Sequence, residues 1–212
     1  MAHQDKFRTP VTNDNYRNNY KMIFHKPEVV LVKGCMFAGK TTHVLNLASK
    51  KSKDENKSMI IVKPPFDTRC DKFVTTHDGR KEPAITIRNM MDAQQLLDYD
   101  IIVFDEVQFF APEHGFNGDI VQLVKELSIN DKSVYMAGLD YWHTGKPVDI
   151  VIELARQTRC SPVTLTANCC YCNDKNTAVR TLKTNGDKNA VAEVGSGDKY
   201  IPVCIDHFNE YY

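Results

Sequence analysis

Apolar runs recur along this chain at intervals that alternate between strand and helix character. Val29 to Val32 is a short β-branched run, and the segment after it places Val44, Leu45, Leu47 and Ala48 on one side of a helix beginning near Lys40. Lys50 to Lys57 is densely charged and reads as a solvated connector. Ser58 to Val62 reads as a buried strand, Ala84 to Ile87 as a short one, and Met91 to Leu97 as a helix. Asp100 to Phe104 is again a buried strand. Asn117 to Leu127 carries Ile120, Leu123, Val124 and Leu127 at helical spacing, Ser133 to Ala137 is strand-like, and Ile150 to Arg156 is a last helix. This alternation predicts an α/β fold, a parallel sheet flanked by helices, through about residue 160. From Ser161 the strands become short and polar and cysteines cluster, so a boundary falls there. The expected organisation is an N-terminal extension over 1–26, an α/β domain over 27–160 and a small domain over 161–212.

Two strand ends carry chemistry. The first reads Gly34-Cys35-Met36-Phe37-Ala38-Gly39-Lys40-Thr41, which fits the Walker A pattern in its strand-to-helix context. Its glycines adopt backbone angles that a Cβ forbids, so the loop can turn N–H groups inward around a phosphate at the positive end of a helix. In such a loop Lys40 reaches the β- and γ-phosphates and the Thr41 hydroxyl holds Mg²⁺. The second strand, Ile101 to Phe104, ends in Asp105-Glu106, the Walker B form. Asp105 would bind Mg²⁺ directly or through water. Glu106, beside the reacting phosphate, would take a proton from a hydroxyl or from water. Asp67 and Arg69 follow another strand and fall on the same functional rim. Of the adjacent aromatics Phe109 and Phe110, one is expected to line a substrate pocket and the other to enter the core.

The bulk properties narrow the class. Across 212 residues, Lys+Arg and Asp+Glu both number 27, and this neutrality counts against a dedicated nucleic-acid binder. No apolar run reaches membrane-spanning length, and Met1 to Lys6 lacks an apolar signal core, so a cytoplasmic location without membrane attachment is expected. Seven cysteines, three of them within Cys169 to Cys172, then suggest metal ligation in a reducing compartment. Cys169-x-x-Cys172 and Cys204-x-x-His207 each have knuckle spacing, and together they make a Cys₃His set suited to structural zinc. Cys170 has the wrong phase. The intervening stretch, with Val191, Gly195, Gly197 and Tyr200, either folds back over the nucleotide rim or forms a plain hairpin.

Taken together, these pieces resemble the type II thymidine kinases, the cytosolic and viral-type enzymes. The matching residues are the phosphate loop, Asp67-Thr68-Arg69, His77-Asp78, Asp105-Glu106-x-Gln108-Phe109-Phe110, Leu139-Asp140, Lys146-Pro147, Cys169-x-x-Cys172, Gly195-x-x-Asp198-Lys199-Tyr200 and Cys204-x-x-His207. The resemblance implies a RecA-like domain with a zinc-held lasso loop. It also implies transfer of the γ-phosphoryl of ATP to the 5′-hydroxyl of thymidine or deoxyuridine, in a homotetramer. It implies nucleotide contacts from residues Gly34, Cys35, Met36, Phe37, Ala38, Gly39, Lys40, Thr41, Asp67, Thr68, Arg69, Asp105, Glu106 and Gln108. Nucleoside contacts are implied for Phe109, Val191, Gly195 and Tyr200. Glu106 then looks like the general base, with Lys40 and Arg69 stabilising the transferring phosphoryl group. The chain departs from the family pattern at Tyr141-Trp142-His143, where an aromatic is expected at His143, and at Val148, Glu193 and His207. A competing class is a RecA-like ATPase whose zinc ribbon acts on nucleic acid.

Overall fold

A computed structural model of the chain describes residues 27–68, 72–76, 79–172, 175–187, 190–192 and 199–212. The strands of the main sheet are β1 (Val29–Gly34), β2 (Met59–Lys63), β5 (Ile85–Thr86), β6 (Ile101–Phe104), β7 (Ser133–Leu139) and β8 (Ser161–Leu165). They lie in the order β5-β2-β6-β7-β1-β8, and every pairing is parallel. The α/β sheet expected from the alternation is therefore present. Buried side chains alternate between its faces as a period of two requires. Leu31, Val62, Ile102, Phe104, Val134 and Met136 join one core, while Val32, Ile61, Ile101, Val103, Tyr135 and Ala137 join the other.

The second of those cores is covered by α1 (Lys40–Glu55), which buries Val44, Leu45 and Ala48. This helix runs through most of the stretch read as a connector. Charge does not break a helix when the charged side chains face water, and here Lys51 pairs with Glu55 at 3.4 Å and with Glu28 at 2.9 Å. The true stop is Asn56, in the left-handed conformation at φ 51°, with its N–H closing back onto the last turn. Leu47, expected on the buried side, is 36% exposed. On the opposite face, α2 (Ile120–Ile129) begins three residues later than its apolar pattern suggests. Asp119 caps it by accepting from the N–H groups of Val121 and Gln122 at 2.8 and 3.0 Å. The segment Asp92–Asp98 is a 3-10 helix, and α3 is Asp149–Gln157.

Ser161–Leu165, read as the opening of the small domain, is the edge strand of the main sheet, so the sheet extends beyond the composition shift at residue 160. Beyond it a smaller unit gathers β9 (Arg180–Lys183), β10 (Tyr200–Val203) and α4 (Ile205–Asn209), with β9 and β10 antiparallel. A further two-stranded antiparallel sheet joins β3 (Phe73–Thr75) and β4 (Lys81–Pro83).

Candidate active site

The ends of β1 and β7 lie level, Gly34 opposite Leu139, with β6 on the far side of β7. The chain leaving each carboxyl end therefore emerges on one rim, where ligands bind in open parallel sheets. At the end of β1 a side chain is excluded. A Cβ on Gly34 would lie 2.1 Å from the carbonyl oxygen of Leu165 on β8, and its φ is 148°. Phe37 (φ 65°) and Gly39 (φ 77°) are also left-handed, so the loop curls before α1 begins. Gly39 supplies no side chain to cap α1, which leaves the first-turn N–H groups for a ligand.

Within this loop Lys40 is buried, and its Nζ donates to the carbonyl of Cys35 at 2.7 Å, bringing the cation back across the loop. The Met36 N–H donates to Thr181 Oγ1 at 3.0 Å, fastening the loop to β9. Cys35 is a packing residue: its thiol reaches the carbonyl of Ala178 at 3.3 Å, and burial pushes its pKa up to about 11 although Lys40 opposes the rise. Ala38 packs against the same small core.

The acidic strand end meets the loop directly. The Thr41 hydroxyl donates to Asp105 Oδ1 at 2.8 Å, so the two groups suited to Mg²⁺ are already adjacent. Glu106 is left-handed, at φ 50° and ψ 48°, an uncommon conformation for a residue with a side chain. Gln108 holds it there. Its Nε2 donates to Glu106 Oε2 at 2.6 Å, while its Oε1 accepts from the Leu139 N–H at 3.1 Å. The carboxylate is thereby tied to the end of β7 through a buried amide.

Phe109 and Phe110 divide as expected, though on a 3-10 turn rather than a strand. Phe110 is buried against Phe104 and Phe116, whereas Phe109 lines a cavity. Met36, Asp67, Glu106, Gln108, Val191 and Tyr200 line that cavity too, so residues from the loop, the acidic strand end and the small unit face one space. Thr68 is exposed. Arg69, Gly195 and the His77-Asp78 pair lie outside the described residues. Sequence reasoning missed Phe66, which packs on Phe109 with ring centroids 4.5 Å apart, and Thr181, which also lines the cavity. It also missed Lys63, whose side chain is 1% exposed and whose Nζ lies 3.7 Å from Asp67 Oδ2. A lysine closing an otherwise apolar strand four residues before an acid was the available signal.

In the small unit, the ligand atoms of Cys169, Cys172, Cys204 and His207 all lie within 4.8 Å of one another. His207 Nδ1 is 3.0 Å from Cys204 Sγ and 3.6 Å from Cys169 Sγ. A tetrahedral zinc with ordinary bond lengths separates its ligands by roughly 3.5 Å, so this donor set fits that ion. Burial works against the Cys169 thiolate, but backbone hydrogen bonds from Cys172, Cys204 and Tyr171 outweigh it and bring the thiol to about 6. Cys170 stays outside the cluster. Among the described residues no helix is long and apolar enough to cross a membrane.

The thymidine kinase family model matches residues 27–208, a span that includes the phosphate loop, the acidic strand end and the Cys₃His cluster. The chain belongs to the thymidine kinase family. It is similar to Thymidine kinase 1 of Dictyostelium discoideum, 32% identical over 189 residues that cover 86% of this chain and 78% of that protein. The Thymidine kinase of Pseudothermotoga lettingae is 30% identical, with 86% and 95% covered. That of Choristoneura biennis entomopoxvirus is 29% identical, with 86% and 96% covered. Among solved structures, domain III of the Thermotoga maritima replication initiation protein DnaA aligns with a TM-score of 0.41 at 13% identity, covering 76% of this chain and 64% of that one. Membership makes this chain a kinase with a P-loop nucleotide site.

Proposed function

We propose that this kinase transfers the γ-phosphoryl group of ATP to the 5′-hydroxyl of thymidine or deoxyuridine, giving the nucleoside monophosphate. The supporting observation is the shared cavity, in which Met36 of the phosphate loop and Glu106 face the same space as Phe66, Phe109, Trp142 and Tyr200. A phosphate donor at the loop and a flat, apolar base among the rings would bring a primary alcohol toward the carboxylate.

On this reading the loop N–H groups and Lys40 neutralise the β- and γ-phosphates, and Arg69 completes that role. Thr41 and Asp105 would hold Mg²⁺, which would supply positive charge to neutralise the phosphates. Glu106 accepts the 5′-hydroxyl proton as the oxygen attacks. Gln108 fixes which way that carboxylate points, because its amide cannot turn without losing the Leu139 N–H. Phe109 and Tyr200 offer ring faces to the base, Val191 lines the same cavity, and a nucleoside contact from Gly195 rests on the family resemblance alone. Zinc held by Cys169, Cys172, Cys204 and His207 has a structural role.

Incubation with ATP, Mg²⁺ and a panel of nucleosides, with products resolved by chromatography, tests the assignment. Thymidine and deoxyuridine should be converted to monophosphates. ATP turnover that rises with single-stranded DNA and leaves every nucleoside unphosphorylated would replace this reading with the nucleic-acid ATPase.

A further inference from the structure

At the rim of the same cavity, the turn over residues 141–147 is packed in a way that the kinase reaction does not by itself require. It is a hairpin, closed by the Trp142 N–H to the Lys146 carbonyl and the Gly145 N–H to the Trp142 carbonyl, both at 2.9 Å. His143 points inward from it and is 3% exposed. Both ring nitrogens are engaged. Nε2 lies 2.9 Å from the carbonyl oxygen of Ala190, and Nδ1 lies 3.2 Å from the hydroxyl of Tyr212. A carbonyl oxygen only accepts, so Nε2 carries the proton. In the neutral ring Nδ1 then accepts from the Tyr212 O–H.

Ala190 directly precedes Val191 and Ala192, which line the cavity along with His143. Tyr212 in turn is stacked on Phe208 of α4, with ring centroids 4.8 Å apart and planes at 27°. Phe208 also closes against Gly145, where an added Cβ would lie 3.1 Å from the ring. One continuous path therefore runs from α4 through Tyr212 and the imidazole to the backbone of the 190–192 segment. A phenylalanine at 143 could fill the same space, but it could not hold a carbonyl on one side and a hydroxyl on the other.

We propose that His143 and Tyr212 form a latch that sets the position of the 190–192 segment over the cavity and thereby sets nucleoside affinity. Both act as positioning residues, and their effect on catalysis rests on the nucleoside-kinase reading above. Tyr212 does not line the cavity, so its influence passes through the imidazole.

The test is steady-state kinetics on Tyr212→Phe, His143→Phe and the double variant, with thymidine and ATP varied separately. Tyr212→Phe keeps the ring stacking and removes one neutral hydrogen bond, so KM for thymidine should rise about three- to tenfold. KM for ATP and kcat should stay within about twofold, because the phosphate loop and Glu106 are untouched. In the His143→Phe background the second substitution should add nothing. Amide hydrogen exchange supplies a readout independent of activity: a peptide spanning Ala190 to Ala192 should exchange faster in Tyr212→Phe, while one from β6 should not. An unchanged thymidine KM, an equal rise in both KM values, or the same multiplicative effect in the His143→Phe background would overturn the latch. Were the wild-type chain inactive on every nucleoside, the kinase reading would fail, and the exchange comparison would still decide whether the latch exists.

Discussion

The two halves of the cavity wall are built on different physical terms. The phosphate loop and the acidic strand end grow from a six-stranded sheet with a buried core on each face, and their residues are held by backbone that has nowhere else to go. Among the described residues, the unit carrying Val191 and Tyr200 has a core of seven buried residues, and one of these, Cys35, belongs to the phosphate loop. So small a core cannot by itself stabilise an independent unit. Further support comes from the Cys₃His cluster, from its attachment to the loop through Met36 and Thr181, and from the 141–147 turn, where His143 meets Ala190 and Tyr212. The contrast separates a preformed half, which on the proposed reading binds phosphates, from an assembled half, which on that reading meets the base.

The largest effect should come from removing the zinc that the Cys₃His cluster is proposed to hold. A structural zinc supplies on the order of 10 kcal/mol to a small domain. Chelation, or Cys204→Ser, should therefore abolish nucleoside turnover and open the chain beyond residue 165 to limited proteolysis. The fragment over the main sheet should stay intact. A protease pattern identical with and without metal would mean that the seven-residue core suffices, and the contrast between the halves would fall.

A smaller but sharper effect belongs to the sheet half. Gly34→Ala sets a methyl group 2.1 Å from the Leu165 carbonyl oxygen at a positive φ, so β1 and β8 must part. We expect a loss of about 3 kcal/mol, read as a lowered denaturation midpoint. Wild-type stability in this variant would show that the phosphate-binding half is more pliant than its packing indicates.

The smallest effect lies at the opposite end of the sheet, away from the site. The Tyr135 hydroxyl donates to Glu28 at 2.7 Å. Burial raises the Glu28 pKa, but this bond and Lys51 outweigh it and hold the carboxyl below its ordinary value. A depressed carboxylate pKa contributes stability above the unfolded-state value, and that contribution is lost as pH falls through the folded-state value. Tyr135→Phe should cost less than about 1 kcal/mol at neutral pH, since Glu28 is half exposed. Thermal melts should show the difference disappear as the solution is taken below pH 4.5, the group's ordinary value, and through its lowered one. A penalty that persists in acid would assign the effect to the ring and not to the pair.

The same contrast explains what could be read from the sequence. Strands such as Ile101–Phe104 announce themselves because a strand buried on both faces must be apolar throughout. The phosphate loop is legible because its backbone angles restrict which residues can form it. The length of α1 was hidden by Lys50 to Lys57, since a solvated helix face and a loop share one composition. β8 was hidden for a related reason. It is an edge strand with Ser161, Pro162 and Thr164 exposed, so its residues resemble those of the small unit rather than its partners in the sheet. Thr181 and Tyr212 left no trace because each acts through one hydrogen bond to a residue far away in the chain. Cys169, Cys172, Cys204 and His207 were legible because a tetrahedral ion demands close ligand spacing.

The central claim is that Glu106 removes the proton from the acceptor hydroxyl while the loop holds the donor. Glu106→Gln tests it most directly, as the amide keeps the shape and loses the basicity. Turnover of thymidine should fall by at least about 10²-fold, with ATP affinity, measured by equilibrium titration, unchanged. A variant that phosphorylates thymidine at the wild-type rate would contradict the account.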